Sequence, residues 1–161
     1  MTRSTMDFGP REWSRREPDR VALRFESRPA VTFADLEGAA SRYAHLFADT
    51  GLKRGDHAAV LLGNGPEIIA LCWAAVRSGV YLTPIANTLG SIEVAYIVDN
   101  SSAKLLIVDA CYSRAAMELP RRCAAVQTFL VTEANCLAIR RLSRYFVACR
   151  RRHGPTRIQA R

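Results

Sequence analysis

The sequence predicts an α/β fold, a partial parallel sheet with helices on both faces. Short apolar segments of β character alternate with longer segments of helical periodicity, in the order β-α-β-α-β-α-β between residues 21 and 131. The strand candidates HAAVLL (57–62) and KLLIV (104–108) are nearly unbroken apolar runs, the pattern of strands covered on both sides. Most strand candidates are separated by a helical segment, the crossover that parallel neighbours require.

Residues 1–17 are polar and read as a loosely ordered lead-in. Val21 to Phe25 is a strand candidate, closed by Ser27-Arg28-Pro29. Thr32 opens a helix, and Asp35 three residues later fits a capping box. Phe33, Leu36, Ala39, Ala40, Tyr43, Leu46 and Phe47 share one side of that helix. Asp35, Glu37, Arg42, His45 and Asp49 share the other, which reads as solvated. Gly51 ends the helix and GLKRGD (51–56) turns into the strand 57–62. Asn64 is the expected cap of the next helix, with Glu67 completing its box and Pro66 in the first turn. That helix, 66–77, is apolar almost all round, which implies burial between layers. Gly79 stops it, VYLTPI (80–85) returns as a strand, and Gly90 and Glu93 start a helix to about Asn100. The strand 104–108, a helix over 112–122 interrupted by Pro120, and a strand over 126–131 complete the series.

The chain has 161 residues, the size of one ordinary domain. Hydrophobic residues make up 49% and charged residues 24%, which excludes a wholly disordered chain. The longest apolar run, Ile68 to Val76, is far short of the ~20 residues that span a bilayer. The first twenty residues hold no apolar leader segment, so a cytoplasmic location is the expectation. The net charge of +8 sits entirely in residues 136–161, which carry eight arginines and no acid; the residues before them balance to zero. Placed on a helix over 137–152, Ala138, Ile139, Leu142, Tyr145, Phe146 and Cys149 form an apolar arc opposite Arg140, Arg141, Arg144, Arg151 and Arg152. Such a helix would touch anionic membrane or nucleic-acid phosphates, and deleting 136–161 is expected to abolish salt-sensitive binding to anionic vesicles. Vesicle binding that survives the deletion would refute this.

No catalytic, cofactor-binding or metal-binding residue emerges from the motifs. GNGPE (63–67) and NTLGS (87–91) each precede a helix, but neither matches a phosphate loop and neither has a lysine. Ser101-Ser102-Ala103-Lys104 places serines where turn geometry needs them. Cys72, Cys111, Cys123, Cys136 and Cys149 form no metal-type pair, and Cys72, within its apolar run, reads as a small buried hydrophobe. His45 falls on the wet face of its helix.

The ordered segments PDRVAL (18–23), TFADLEGAASRYAHLFADTGLKRGD (32–56), NGPEIIALCWAAVRSGVYLTPI (64–85) and EVAYIVDNSSAKLLI (93–107) resemble the adenylate-forming acyl-CoA synthetases, including fatty-acid–CoA ligases, in their N-terminal portion. The resemblance implies the N-terminal part of the family's large domain. It also implies a family activity, in which ATP and a carboxylic acid form an acyl-adenylate and coenzyme A then takes the acyl group. ATP, Mg and coenzyme A are thus cofactors of the family, whereas none is expected on this chain. The family's phosphate loop, of the form TSGTTGxPKG, has no counterpart here, and its adenine segment, ribose-binding aspartate and C-terminal catalytic lysine would lie beyond Arg161. The expected organisation is a polar lead-in (1–17), a synthetase-like fragment (18–132) and a basic tail (133–161) whose composition suggests a change of reading frame. The fragment alone is expected to be inactive, with a separately made remainder of the enzyme as its partner. The alternative is a non-catalytic binding module that uses the basic helix.

Overall fold

In the computed structural model, the described residues are 9–26, 28–112, 119–132 and 146–149. The lead-in is not featureless, because Pro10–Arg16 forms a helix, α1, with Pro10 in its first turn. Its amphipathic signal is short, so composition hid it. Trp13 stacks on Phe33 with ring centroids 5.7 Å apart, and the Arg20 guanidinium lies 4.9 Å from the Trp13 ring. Strand β1, Val21–Phe25, then pairs antiparallel with β2, Arg28–Thr32. Arg28-Pro29, read as a closing turn, instead begins this second strand of a hairpin.

Helix α2, Phe33–Asp49, starts with the capping box expected from its sequence. The Asp35 N–H donates to Thr32 Oγ1 at 3.1 Å, and the Thr32 N–H donates to Asp35 Oδ2 at 3.3 Å. Its buried side is Leu36, Ala39, Ala40, Tyr43 and Phe47. Strand β3, His57–Leu61, leads to α3, Pro66–Ser78, and α3 to β4, Tyr81–Pro84. Gly79 closes α3 in the left-handed region (φ 69), as expected of a glycine stop. Helix α4, Ser91–Asn100, strand β5, Leu105–Asp109, a 3-10 turn at Ala110–Tyr112, a short helix α5 at Leu119–Arg122, and β6, Thr128–Thr132, follow.

Strands β4-β3-β5-β6 form a parallel sheet in that order, extended by an antiparallel β7, Phe146–Cys149, on the outer edge of β6. Among the described residues the tail therefore contains a strand and not the continuous basic helix that its spacing suggested. Phe146 and Val147 have β propensity, and pairing supplies the edge of β6 with ladder partners. The rest of the proposed helix, with Arg140, Arg141, Arg144, Arg151 and Arg152, lies outside the described residues, as does the helical segment expected over 113–118.

Alternation along the strands shows why both sheet faces are covered. Ala58 and Val60 of β3, Leu105 and Ile107 of β5, and Leu130 of β6 join α2 and α3 in one core. Ala59 and Leu61, Leu106 and Val108, and Phe129 join α4 and α5 in the other. Side chains alternate with period two, so a strand feeding two cores must be apolar throughout.

Two polar features fix the amino end of the sheet. Lys104 Nζ donates to Asp56 Oδ1 at 2.5 Å, and the Lys53 N–H donates to Asp56 Oδ2 at 2.8 Å, joining the approaches to β3 and β5. The Lys104 contact foremost, with the Lys53 N–H behind it, holds the Asp56 carboxyl below its ordinary 3.8. Since the folded value is the lower one, the contribution is complete above the unfolded pKa and is lost as pH falls through the folded pKa. In urea titrations the stability gap between wild type and Asp56→Asn should hold steady near neutrality and close on acidification; a gap that widens in acid would refute the pairing. Ser102 stands nearby at φ 53, a conformation that costs a side-chain residue more than glycine. Ser102→Gly should raise stability by roughly 0.5–1 kcal/mol, read as a higher urea midpoint, and a lower midpoint would show that the serine side chain compensates.

Candidate functional site

In an open parallel sheet, ligands bind beyond the carboxyl ends of the strands, where the chain's path reverses. Here β3 connects through α3 to β4 on one side, while β5 connects to β6 on the other. The reversal lies between β3 and β5, and α3 and α4 cover opposite faces. Three loops rim that point: residues 62–65 after β3, 85–90 after β4 and 110–112 after β5.

The rim is tied by a contact between distant segments. Asn87 Nδ2 donates to the Tyr112 hydroxyl at 2.6 Å, and Gly63 lies beneath, where an added Cβ would sit 3.7 Å from that oxygen. The Cys111 N–H donates to Asp109 Oδ1 at 3.2 Å, and Cys111 is exposed. Partial desolvation, then the Asp109 carboxylate, pushes the Cys111 thiol upward, so it is protonated and weakly nucleophilic at neutral pH. Tyr112 is likewise raised, chiefly by desolvation, which keeps its hydroxyl neutral.

Both glycine loops serve as helix starts. Gly65, and not Asn64, is the N-cap of α3, in extended backbone with no side-chain cap. Glu67 does not reach back to Asn64, because its Oε2 accepts from Arg28 Nη1 at 3.3 Å and so pins the hairpin to the start of α3. In 87–91, Gly90 caps α4, again without a side-chain bond. Ser101 Oγ donates to the Val98 carbonyl and Lys104 is held by Asp56, so 101–104 is a turn.

Two sequence readings need correction. Glu37 is not on a solvated face: its Oε2 accepts from Arg77 Nη2 at 2.6 Å, while Arg77 Nη1 donates to Ser41 Oγ at 2.8 Å, which locks α3 to α2. A side chain read only against its own helix carries no sign of a partner 40 residues away. Cys72 is not buried but exposed, because the apolar run containing it turns one side away from both cores. His45, by contrast, is exposed as expected.

The rim does not fit the phosphates of ATP. Its Asp109 carboxylate would repel them, and Arg28 beside Gly65 is already neutralised by Glu67. Among the described residues no group of three or more His, Cys, Asp or Glu side chains could hold a metal ion. No described helix is long and apolar enough to cross a membrane. What the rim does offer is a packed junction of three loops.

Residues 10–145 match the model of the family described as AMP-binding enzyme. The chain belongs to that family. The match extends beyond both ends of the resemblance read in the sequence and includes β6. Malpibaldin synthetase of Mortierella alpina is 32% identical over 106 residues, covering 65% of this chain and 2% of that protein. Crotonobetaine/carnitine–CoA ligase of Salmonella typhimurium is 36% identical over 97 residues, covering 57% of this chain and 19% of the ligase. The fold is shared with a Mycobacterium tuberculosis fatty acyl CoA synthetase at a TM-score of 0.71 and 23% identity, over 76% of this chain and 25% of that structure. It is also shared with the N-terminal domain of FACL13 from the same organism, at 0.70 and 23%, over 80% of this chain and 33% of that structure. This member of the AMP-binding family thus spans a third or less of each of these four proteins. Its fold is that of the N-terminal domain seen in those solved structures, with the parallel sheet and paired helix layers anticipated from its sequence.

Proposed function

We propose that the chain supplies the N-terminal scaffold of an enzyme that joins a carboxylic acid to coenzyme A at the expense of ATP. The family match over 10–145 carries this reading. The reaction would pass through an acyl-adenylate, whose formation requires oriented N–H donors and cations around the transferred phosphate. In this reading the present portion contributes packing and positioning, which its acidic Asp109 at the rim supports, and the chemistry belongs to the rest of the enzyme. ATP, Mg and coenzyme A would be held there. The partner is that remaining body, and the cytoplasm, with its ATP and coenzyme A, is the expected setting.

The test is carboxylate-dependent pyrophosphate–ATP exchange. The purified chain should give none above a heat-denatured control. Co-expression with the Salmonella ligase deleted for its matched segment should restore exchange with the ligase's own carboxylate substrate. Exchange by the chain alone would overturn the scaffold reading. The basic-helix alternative is not favoured, since Phe146–Cys149 pairs with β6 as a strand.

A further inference from the structure

Among the described residues the five-stranded sheet ends in β4 on one side and β7 on the other. An unpaired strand edge presents a row of N–H and C=O groups on which another chain can build. The β4 edge is blunt by itself: Tyr81–Pro84 is only four residues long and ends in a proline, which has no N–H to offer. The β6 edge has no such defence. Residues 126–132, Val-Gln-Thr-Phe-Leu-Val-Thr, hold no charge, no proline and no glycine, and are rich in β-branched and aromatic side chains. Segments of about six or seven residues with that composition stack into cross-β assemblies when their edge is free. In the structure that edge is taken. β7 runs antiparallel along it, from Val131 opposite Phe146 to Thr128 opposite Cys149. The family match ends at residue 145, so β7 lies outside the matched portion. In sequence β7 is flanked by Arg144 and by Arg150, Arg151 and Arg152, with no acid anywhere in 136–161.

We propose that β7 is an autoinhibitory strand: paired in cis, it closes the β6 edge and bars strand addition by a second copy of the chain. β7 becomes the outermost strand in its turn, and like charges beside an edge strand keep identical copies apart, which gives the surrounding arginines their role. Residues 133–145 join β6 to β7, a connection much longer than the ~2–5 residues of a tight hairpin, so no turn geometry fixes β7 in place. The ladder with β6 does that work. A strand tethered at this distance faces its edge at an effective concentration on the order of millimolar, which a free copy at micromolar concentration does not match. The device is independent of any catalytic role.

Backbone register supplies the test. The Thr128 N–H donates to the Lys104 carbonyl on the β5 side. Successive residues of a strand point their N–H groups to opposite edges, so Phe129 and Val131 face β7, opposite Ala148 and Phe146. Ala148→Pro therefore removes a donor aimed at β6, whereas Val147→Pro removes one aimed outward, and both variants keep every arginine. The full chain and the two variants are compared under reducing conditions by light scattering and by amide hydrogen exchange followed by NMR. Expected are a monomeric wild type with Phe129 and Val131 protected, and a Val147→Pro chain that behaves like it. In Ala148→Pro those two amides should exchange about tenfold faster or more, the amides of 105–109 in β5 should stay protected, and the chain should self-associate as its concentration rises. Fast exchange of Phe129 and Val131 in the wild type, or unchanged protection in Ala148→Pro, overturns the cover. An Ala148→Pro chain that stays monomeric with the edge open overturns the inhibition, as does equal association of Val147→Pro. Loss of β5 protection in Ala148→Pro makes β7 part of the folding unit and overturns the proposal. A wild-type dimer with the edge protected makes the β7 of a second copy the occupant and also overturns it.

Discussion

Leu106→Asp is expected to leave no cooperatively folded chain. Leu106 is fully buried in β5, between β3 and β6, and faces the core shared with α4. The substitution forfeits about 1.5–3 kcal/mol of apolar burial. It also places a carboxylate where nothing pairs with it, at a further penalty of several kcal/mol. Domains are stable by only about 5–15 kcal/mol, so little or nothing remains. The measurement is urea unfolding followed by far-ultraviolet circular dichroism, with Val76→Asp as the matched control. The same chemistry on the exposed arc of α3 should retain the wild-type transition. A wild-type transition in Leu106→Asp would show that β5 is not the centre of the sheet.

Phe47→Ala should cost about 3–5 kcal/mol, the range for deleting a buried ring. Phe47 is fully buried at the inner side of α2, in the core that includes Tyr43, Val60 and Leu71. Small residues on both helices, Ala39 and Ala40 of α2 and Ala70 and Ala74 of α3, are also buried, which lets the helices approach and leaves the ring as the main filler of volume. The expected signature is a lower urea midpoint at unchanged slope, since a cavity alters stability without altering the surface exposed on unfolding. A shift below about 1 kcal/mol would mean that the site collapses around the deletion.

The parallel strands were legible because burial on two faces leaves no room for polar alternation, as β3 and β5 show. The Thr32–Asp35 box and the Gly79 stop were legible because capping needs particular residues at fixed offsets. Features that depend on partners far along the chain were hidden. Asn87 and Tyr112 are 25 residues apart, and their contact follows from strand order, which no local pattern states. Asn64 looked like the cap of α3, but Glu67 was claimed by Arg28 from a hairpin whose second strand had gone unread. α1 was missed because seven mostly polar residues give too short a signal, although Trp13 finds Phe33 once α2 exists. The apolar circumference of α3 implied burial between layers, whereas Cys72 and Val76 stand exposed, because only one side of the helix meets the sheet and α2.

The strand order also sets a timetable for synthesis. β3 is flanked by β4 and β5, and its register with β5 runs from Ala58 opposite Leu105 to Leu61 opposite Val108. When β3 leaves the ribosome, the neighbour on its β5 side has yet to be translated. At about 5–20 residues per second, that side of β3 waits roughly 2–10 seconds for its partner. Local helices form within microseconds and the β3–α3–β4 unit can close early, so for this interval the nascent chain holds an apolar strand with one unfilled side. Slow translation between codons 62 and 104 would lengthen that wait, and fast translation would shorten it. The yield of folded chain should therefore respond to codon choice in this stretch more than in residues 33–49, whose α2 is satisfied locally.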